Sequence, residues 1–214
     1  MQWQWQCHRL ASLALAGLLV LGVASLGYAQ TTAQSKVEST RLMSELMSGK
    51  GQVGGPFTLL DQTGKKRTLA EFKGKVVLIY FGYMFCPDIC PADLNNLAGL
   101  LKRLGKDSAQ VQVIFITLDP ARDTQEFIGK YVEYFDKRIL GLRGTEQQTK
   151  QVATQYKTFY EKVSLKDNQY VIDHTAFTYI MNRNGKYLAF FPPGTSPERM
   201  EVMVREALAT SEGS

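Results

Sequence analysis

Cysteine and histidine are the scarce residues of this chain, three and two respectively among 214. So few cysteines exclude a fold stapled by disulfides, and with 44% hydrophobic residues one domain of ordinary size has core enough to fold without them. Internal repeats and low-complexity tracts are missing too. There is no block of like charge: the net charge of +5 comes from lysines and arginines scattered among acidic residues. The densest cluster, Lys65-Lys66-Arg67, suits a solvated hairpin turn better than a nucleic-acid site, so no nucleic-acid partner is expected. Proline is absent between Pro120 and Pro192. The one long uncharged apolar run is Leu10 to Leu26.

That run lies within residues 1–29, which read as a signal peptide or membrane anchor. Arg9 and the amino terminus give a weakly positive start, and Gly27-Tyr28-Ala29 ends in small residues where a signal peptidase would cut. An uncleaved anchor is the rival reading, because 17 apolar residues are at the lower edge of what spans a bilayer. Both readings deliver the rest of the chain to the periplasm or the extracytoplasmic face of the cytoplasmic membrane, with membrane association only through this segment. In that oxidising setting a reactive cysteine pair must be a disulfide or be protected by something bound to it. Residues 30–50 read as a polar linker, with Leu42, Met43, Leu46 and Met47 at helical spacing. Residues 51–214 read as the folded domain.

Within the domain, Phe57 to Leu60 and Lys66 to Leu69 predict an N-terminal hairpin around Asp61-Gln-Thr-Gly64. Val76-Val-Leu-Ile-Tyr-Phe81 has no polar break, which predicts a central strand covered on both faces. Leu94, Leu97, Ala98, Leu101 and Leu104 then share one helical face, with Pro91 suited to the first helical position and Gly105 to the stop. A second buried strand is expected over Val111 to Leu118 and a helix from Thr124 to Phe135. Thr145 and Gln148 form a capping box for a helix to about Tyr156. Lys157 to Asn168 reads as an irregular charged connection. Strands Ala176 to Met181 and Lys186 to Phe191 follow, joined through Asn184-Gly185, and Ser196-Pro197 opens the last helix. The alternation predicts an α/β fold, a mixed central sheet flanked by helices. A cysteine pair after the first long buried strand is where thioredoxin-like folds carry theirs.

Cys86 and Cys90 are the two cysteines outside the export segment, since Cys7 lies within it. With Pro91 opening the helix, Cys90 is its expected N-cap and both sulfurs lie near the positive end of the helix dipole, which favours thiolates. Pro87 and Pro91 stiffen the loop around both cysteines. As a structural disulfide the pair would close so short a loop that it would add only about 2 kcal/mol. Redox or metal chemistry is the stronger reading. His174 is the one imidazole outside the export segment, and it precedes a strand expected beside the one that ends at Phe81. Two thiolates and an imidazole suit copper as Cu(I) or Cu(II), and zinc accepts the same donors. Asp173 is a candidate to orient the imidazole, and Met84 a candidate fourth ligand for which packing is the simpler role.

Phe81-Gly82, Cys86-Pro-Asp-Ile-Cys90-Pro91, Leu118-Asp-Pro-Ala-Arg-Asp123-Thr124, Gly141-Leu-Arg-Gly144-Thr145 and Val171-Ile-Asp-His174-Thr175 together resemble the successive motifs of the Sco/SenC proteins, from about Gly54 to Leu208. The resemblance implies a thioredoxin-like fold and one copper per domain on Cys86, Cys90 and His174. It also implies work in assembling the binuclear copper centre of cytochrome c oxidase. The partner implied is the oxidase subunit that carries that centre, and other periplasmic copper chaperones or thiol reductants are further candidate partners. Ordinary thioredoxins place a cis-proline before the strand facing the cysteines; here Thr175 follows His174, so a ligand stands where a thiol-exchange enzyme has its proline. A metallochaperone is therefore expected. The alternatives are a thiol-disulfide reductase using Cys86 and Cys90, and a peroxide-reducing or redox-sensing relative.

Overall fold

The computed structural model describes residues 34, 36–48, 52–167 and 169–210. The expected export segment and Cys7 lie outside them. Residues 36–48 form a helix, α1, in which Leu46 is buried while Met43 and Met47 are exposed. Among the described residues no helix is long and apolar enough to cross a membrane. Two compact units divide the chain, Met1–Ser44 and Glu45–Ser214, and every strand among the described residues lies in the second.

That second unit runs β1 (Thr58–Asp61), β2 (Lys66–Thr68), β3 (Val76–Gly82), α2 (Ile89–Leu104), β4 (Val111–Thr117), α3 (Gln125–Phe135), β5 (Ile139–Arg143), α4 (Glu146–Gln155), β6 (Tyr160–Ser164), β7 (Tyr170–His174), β8 (Thr178–Met181), β9 (Tyr187–Phe191) and α5 (Pro197–Ala209). Seven strands form one sheet in the order β2-β1-β5-β4-β3-β8-β9. β3, β4 and β5 are parallel, as the intervening helices require, and the flanking pairs are antiparallel. The result is the mixed, thioredoxin-like sheet with an N-terminal hairpin that the sequence predicts.

β3 is the spine. All seven of its residues are buried, because β4 and β8 cover its edges and helices its faces. Each large apolar side chain buried there contributes about 1.5–3 kcal/mol. α2 and α5 pack together and are tied by Arg103 to Glu198 and Glu201 at 3.0 and 2.7 Å, pairs exposed enough to add little. The helix ends follow local chemistry. The Thr145 hydroxyl accepts the Gln148 N–H at 3.2 Å while the Gln148 side chain accepts the Thr145 N–H at 2.8 Å, and Ser196 caps α5 ahead of Pro197. Gly105, at φ 55°, ends α2 in a conformation that a side chain would strain.

One expected loop is structured. Lys157 to Asn168 is not an irregular connection throughout: Tyr160–Ser164 is β6, which pairs antiparallel with β7 from Tyr160 opposite His174 to Ser164 opposite Tyr170. The hairpin forms a two-stranded sheet of its own, outside the main one. Its sequence hides it because Ile172 alone is fully buried, with Tyr160 and Tyr170 only leaning on the core. Val163 and Ser164 are exposed, so no apolar alternation marks the strands. The turn uses Asp167 at φ 59°, a left-handed position that aspartate tolerates better than most residues.

Parallel pairing brings the carboxyl ends of β3 and β4 to one edge, Gly82 opposite Thr117, where the Leu118 N–H donates to the Gly82 carbonyl at 2.8 Å. Open α/β sheets bind their ligands at this edge. The cysteine loop leaves β3 there, the 118–124 loop leaves β4 there, and β7 delivers His174 just before the chain enters β8.

Candidate metal centre

The cysteine loop is shaped by the start of α2. The helix begins two residues earlier than expected: Asp88 is the N-cap, Ile89 is first, Cys90 second and Pro91 third. Cys90 is therefore not the N-cap. Pro91 still fits, because a helix leaves its first N–H groups without internal partners and a missing one costs nothing at the third position. Asp88 makes no side-chain cap. Instead the Cys86 sulfur accepts the N–H groups of Asp88 and Cys90, so it is Cys86 that sits over the helix N-terminus.

His174 reaches the same point from the end of β7. Its Nε2 lies 3.6 Å from the Cys90 sulfur, across 84 positions of sequence. Its Nδ1 lies 3.1 Å from the Ile172 carbonyl. A carbonyl oxygen can only accept, so Nδ1 carries the proton and the Nε2 lone pair faces Cys90. That leaves Asp173, which is exposed, out of the role of orienting the ring; the Ile172 backbone does it. The Tyr83 ring meets the imidazole edge-on at 5.7 Å. Met84 is partly buried against the core, in keeping with packing.

Charge divides unequally within the trio. A hydrogen bond from Cys90 and the helix N–H groups lower the Cys86 pKa to about 5, so this half-buried thiol is a thiolate at neutral pH. The same bond and burial push Cys90 up, and it keeps its proton, donated to the Cys86 thiolate, with His174 Nε2 3.6 Å away. Burial lowers the His174 pKa, so the imidazole is neutral and its lone pair free. One thiolate, one thiol and one neutral imidazole need lose a single proton to become three donors. Alkylation should show the inequality. Iodoacetamide should modify Cys86 at a rate that climbs as pH passes about 5 and then levels, while Cys90 stays unmodified in the native state. Mass spectrometry of peptides after timed alkylation reads both.

Gly82 makes room for the buried sulfur. A Cβ there would stand 2.9 Å from the Cys90 Sγ and 2.9 Å from the Tyr80 ring, so only glycine leaves the pocket its shape.

Around the three residues lies a polar frame that the sequence did not disclose. Asp123, fully buried, accepts the Thr117 hydroxyl at 2.5 Å and the Met84 N–H at 3.1 Å, fixing the cysteine loop to β4; burial raises its pKa to about 6. Asp119 accepts the Tyr170 hydroxyl at 2.8 Å and pairs with Arg122. Arg122 donates to the Tyr170 carbonyl at 3.0 Å, and its guanidinium lies over the rings of Tyr170 and Phe85 at 3.7 and 4.9 Å. The one signal for this frame was the charged Asp119-Pro-Ala-Arg122-Asp123 segment, and nothing local says where its side chains point.

Among the described residues no three His, Cys, Asp or Glu side chains already stand close enough to grip an ion. The donors nonetheless fit one. Bonds of about 2.3 Å to sulfur and about 2.0 Å to nitrogen at a tetrahedral angle put the two donor atoms about 3.5 Å apart. Cys90 and His174 stand 3.6 Å apart, and Cys86 adjoins Cys90 through their hydrogen bond.

The family model described as SCO1/SenC matches residues 46–209. The chain belongs to the SCO1/SenC family. Among SCO1/SenC relatives, an SCO2-like protein of Rickettsia conorii is 40% identical over 156 residues, covering 72% of this chain and 76% of its own. Bradyrhizobium japonicum ScoI, solved with copper bound, is 40% identical at a TM-score of 0.69, over 73% of this chain and 99% of that one. Yeast Sco1, also solved with copper bound, is 33% identical at a TM-score of 0.69, over 76% and 92%. The SCO1/SenC match thus spans the sheet, the cysteine loop and the hairpin that carries His174.

Proposed function

We propose that this SCO1/SenC chain is an exported copper carrier that takes one copper ion on Cys86, Cys90 and His174. It delivers that ion to the binuclear copper centre of cytochrome c oxidase. The observation that carries the reading is the 3.6 Å approach of His174 Nε2 to the Cys90 sulfur, with the ring tautomer already fixed for donation. Copper in the solved relatives ScoI and Sco1 supports the choice of metal. So does the donor set, since two sulfurs suit Cu(I) and the added nitrogen suits Cu(II). The placement outside the cytoplasmic membrane rests on residues 1–29.

Copper is cargo here, so it must leave as well as bind. Cys86 is the half-buried donor and Cys90 the buried one. A thiolate of the recipient reaches the Cys86 side first, replaces that sulfur, and the remaining donors follow one at a time. Each exchange keeps the metal ligated. The same asymmetry supports a second reading, a thiol-disulfide reductase that keeps the recipient's cysteines reduced. The Cys86 thiolate would attack a target disulfide and expel one target thiolate. Cys90, its proton passed to the expelled target thiolate, would then attack the mixed disulfide, leaving Cys86 joined to Cys90 and the target reduced.

Mixing the copper-loaded chain with the reduced copper-centre domain of an oxidase separates the two. Metal analysis after rapid separation should find copper moved to the recipient. Copper staying on the donor, with an oxidised recipient gaining thiols instead, would favour reduction.

A further inference from the structure

We infer that Arg122 is a positioning residue for copper, the tie that holds His174 against the cysteines; this rests on the copper-site reading above. His174 belongs to the β6–β7 hairpin, which shares no strand pairing with the seven-stranded sheet. A lone two-stranded hairpin is marginal in water, and this one reaches the core through Ile172, with Tyr160 and Tyr170 leaning on it, so polar ties must set its register. What fixes it beside the cysteine loop is therefore a small number of side-chain ties.

Arg122 makes the most of them. Its guanidinium pairs with the buried Asp119, donates to the Tyr170 carbonyl at 3.0 Å, and lies over the Tyr170 ring at 3.7 Å. On the other side it lies over Phe85 at 4.9 Å and Tyr83 at 5.9 Å. Tyr83 and Phe85 belong to the loop of Cys86, and Tyr170 opens the strand that ends at His174. One planar cation thus joins the loop bearing the first sulfur, the turn after β4, and the strand bearing the nitrogen. Only the β7 end needs it. Cys86 and Cys90 are held by α2 and β3, while Thr158, which donates to the Tyr179 hydroxyl at 2.9 Å, anchors the chain where it enters the hairpin. Without Arg122 the cysteines keep their places and the imidazole loses its register.

The consequence separates two oxidation states. Cu(I), satisfied by two sulfurs, should scarcely notice the loss, whereas Cu(II), which needs the nitrogen, should leave faster.

The test uses the full chain loaded with Cu(II), challenged with excess EDTA, with the loss of the thiolate-to-copper absorption giving the dissociation rate. Arg122→Ala should release Cu(II) about tenfold faster than wild type, the scale of a lost cation–π contact plus a charge-assisted hydrogen bond. Arg122→Lys keeps a charge beside Asp119 but not the planar contacts, and should release about fivefold faster. The midpoint potential of the Cys86–Cys90 pair should match wild type in both. In the His174→Ala background Arg122→Ala should add nothing, because it acts through that ring. A wild-type rate in both Arg122 variants, or equal effects with and without His174, overturns the inference while leaving the copper site standing. Wild-type copper retention by His174→Ala overturns the site and this inference together.

Discussion

His174→Ala should release Cu(II) at least about a hundredfold faster than wild type, since loss of a ligand exceeds the 10- to 100-fold cost of losing a partner in the surrounding shell. The same variant should still reduce a small disulfide at close to the wild-type rate. The reason is geometric. His174 Nε2 supplies the ring nitrogen beside the Cys90 sulfur, yet the low pKa of Cys86 comes first from Cys90 and the α2 N–H groups, and only in minor part from His174. Removing the ring therefore strips the metal site while leaving the nucleophile. Equilibrium dialysis against a chelator, run beside a disulfide-reduction assay, reads both halves. Loss of both activities together would mean that the ring holds the loop rather than the metal.

Cys86→Ser and Cys90→Ser should each lower copper affinity on the order of a thousandfold, because a hydroxyl is a hard donor that stays protonated where copper needs a soft thiolate. Their effects on the fold should differ. Cys86 is half-buried at the loop surface, so its serine variant should melt within a few degrees of wild type. Cys90 is fully buried against Gly82 and Tyr80. A serine hydroxyl in its place meets His174 Nε2 at a sulfur's distance, and burying it poorly bonded costs about 1–3 kcal/mol. Calorimetry of the metal-free variants distinguishes them, and equal melting temperatures would contradict the burial ordering.

Much of the fold was legible because its signals are short-range. The unbroken run of β3, the Thr145–Gln148 box, Ser196-Pro197 and Asn184-Gly185 each encode their structure within a few residues, and each forms as read. The central position of β3 followed from having no polar face at all. Two local readings failed for definable reasons. The β6–β7 hairpin buries one face too little to leave a period, and Pro91 was placed at the first helical position although the third serves a residue without an N–H equally well. The candidate site was legible by scarcity: with one histidine and two cysteines beyond residue 29, few donor sets exist. Its frame was not. Arg122 and Asp119 meet Tyr170 some fifty positions away, and Asp123 meets Met84 across 39; such pairings are decided by the sheet, not by neighbours in sequence.

The central claim is that two sulfurs and one ring nitrogen of this chain take a single copper. Titrating the reduced chain with Cu(II) and following the thiolate-to-copper absorption tests it most directly. The band should grow linearly and stop at one copper per chain in the wild type, and should be absent from the variant lacking both Cys86 and Cys90. Copper retained with no such band, or a band unchanged by loss of those cysteines, would contradict it.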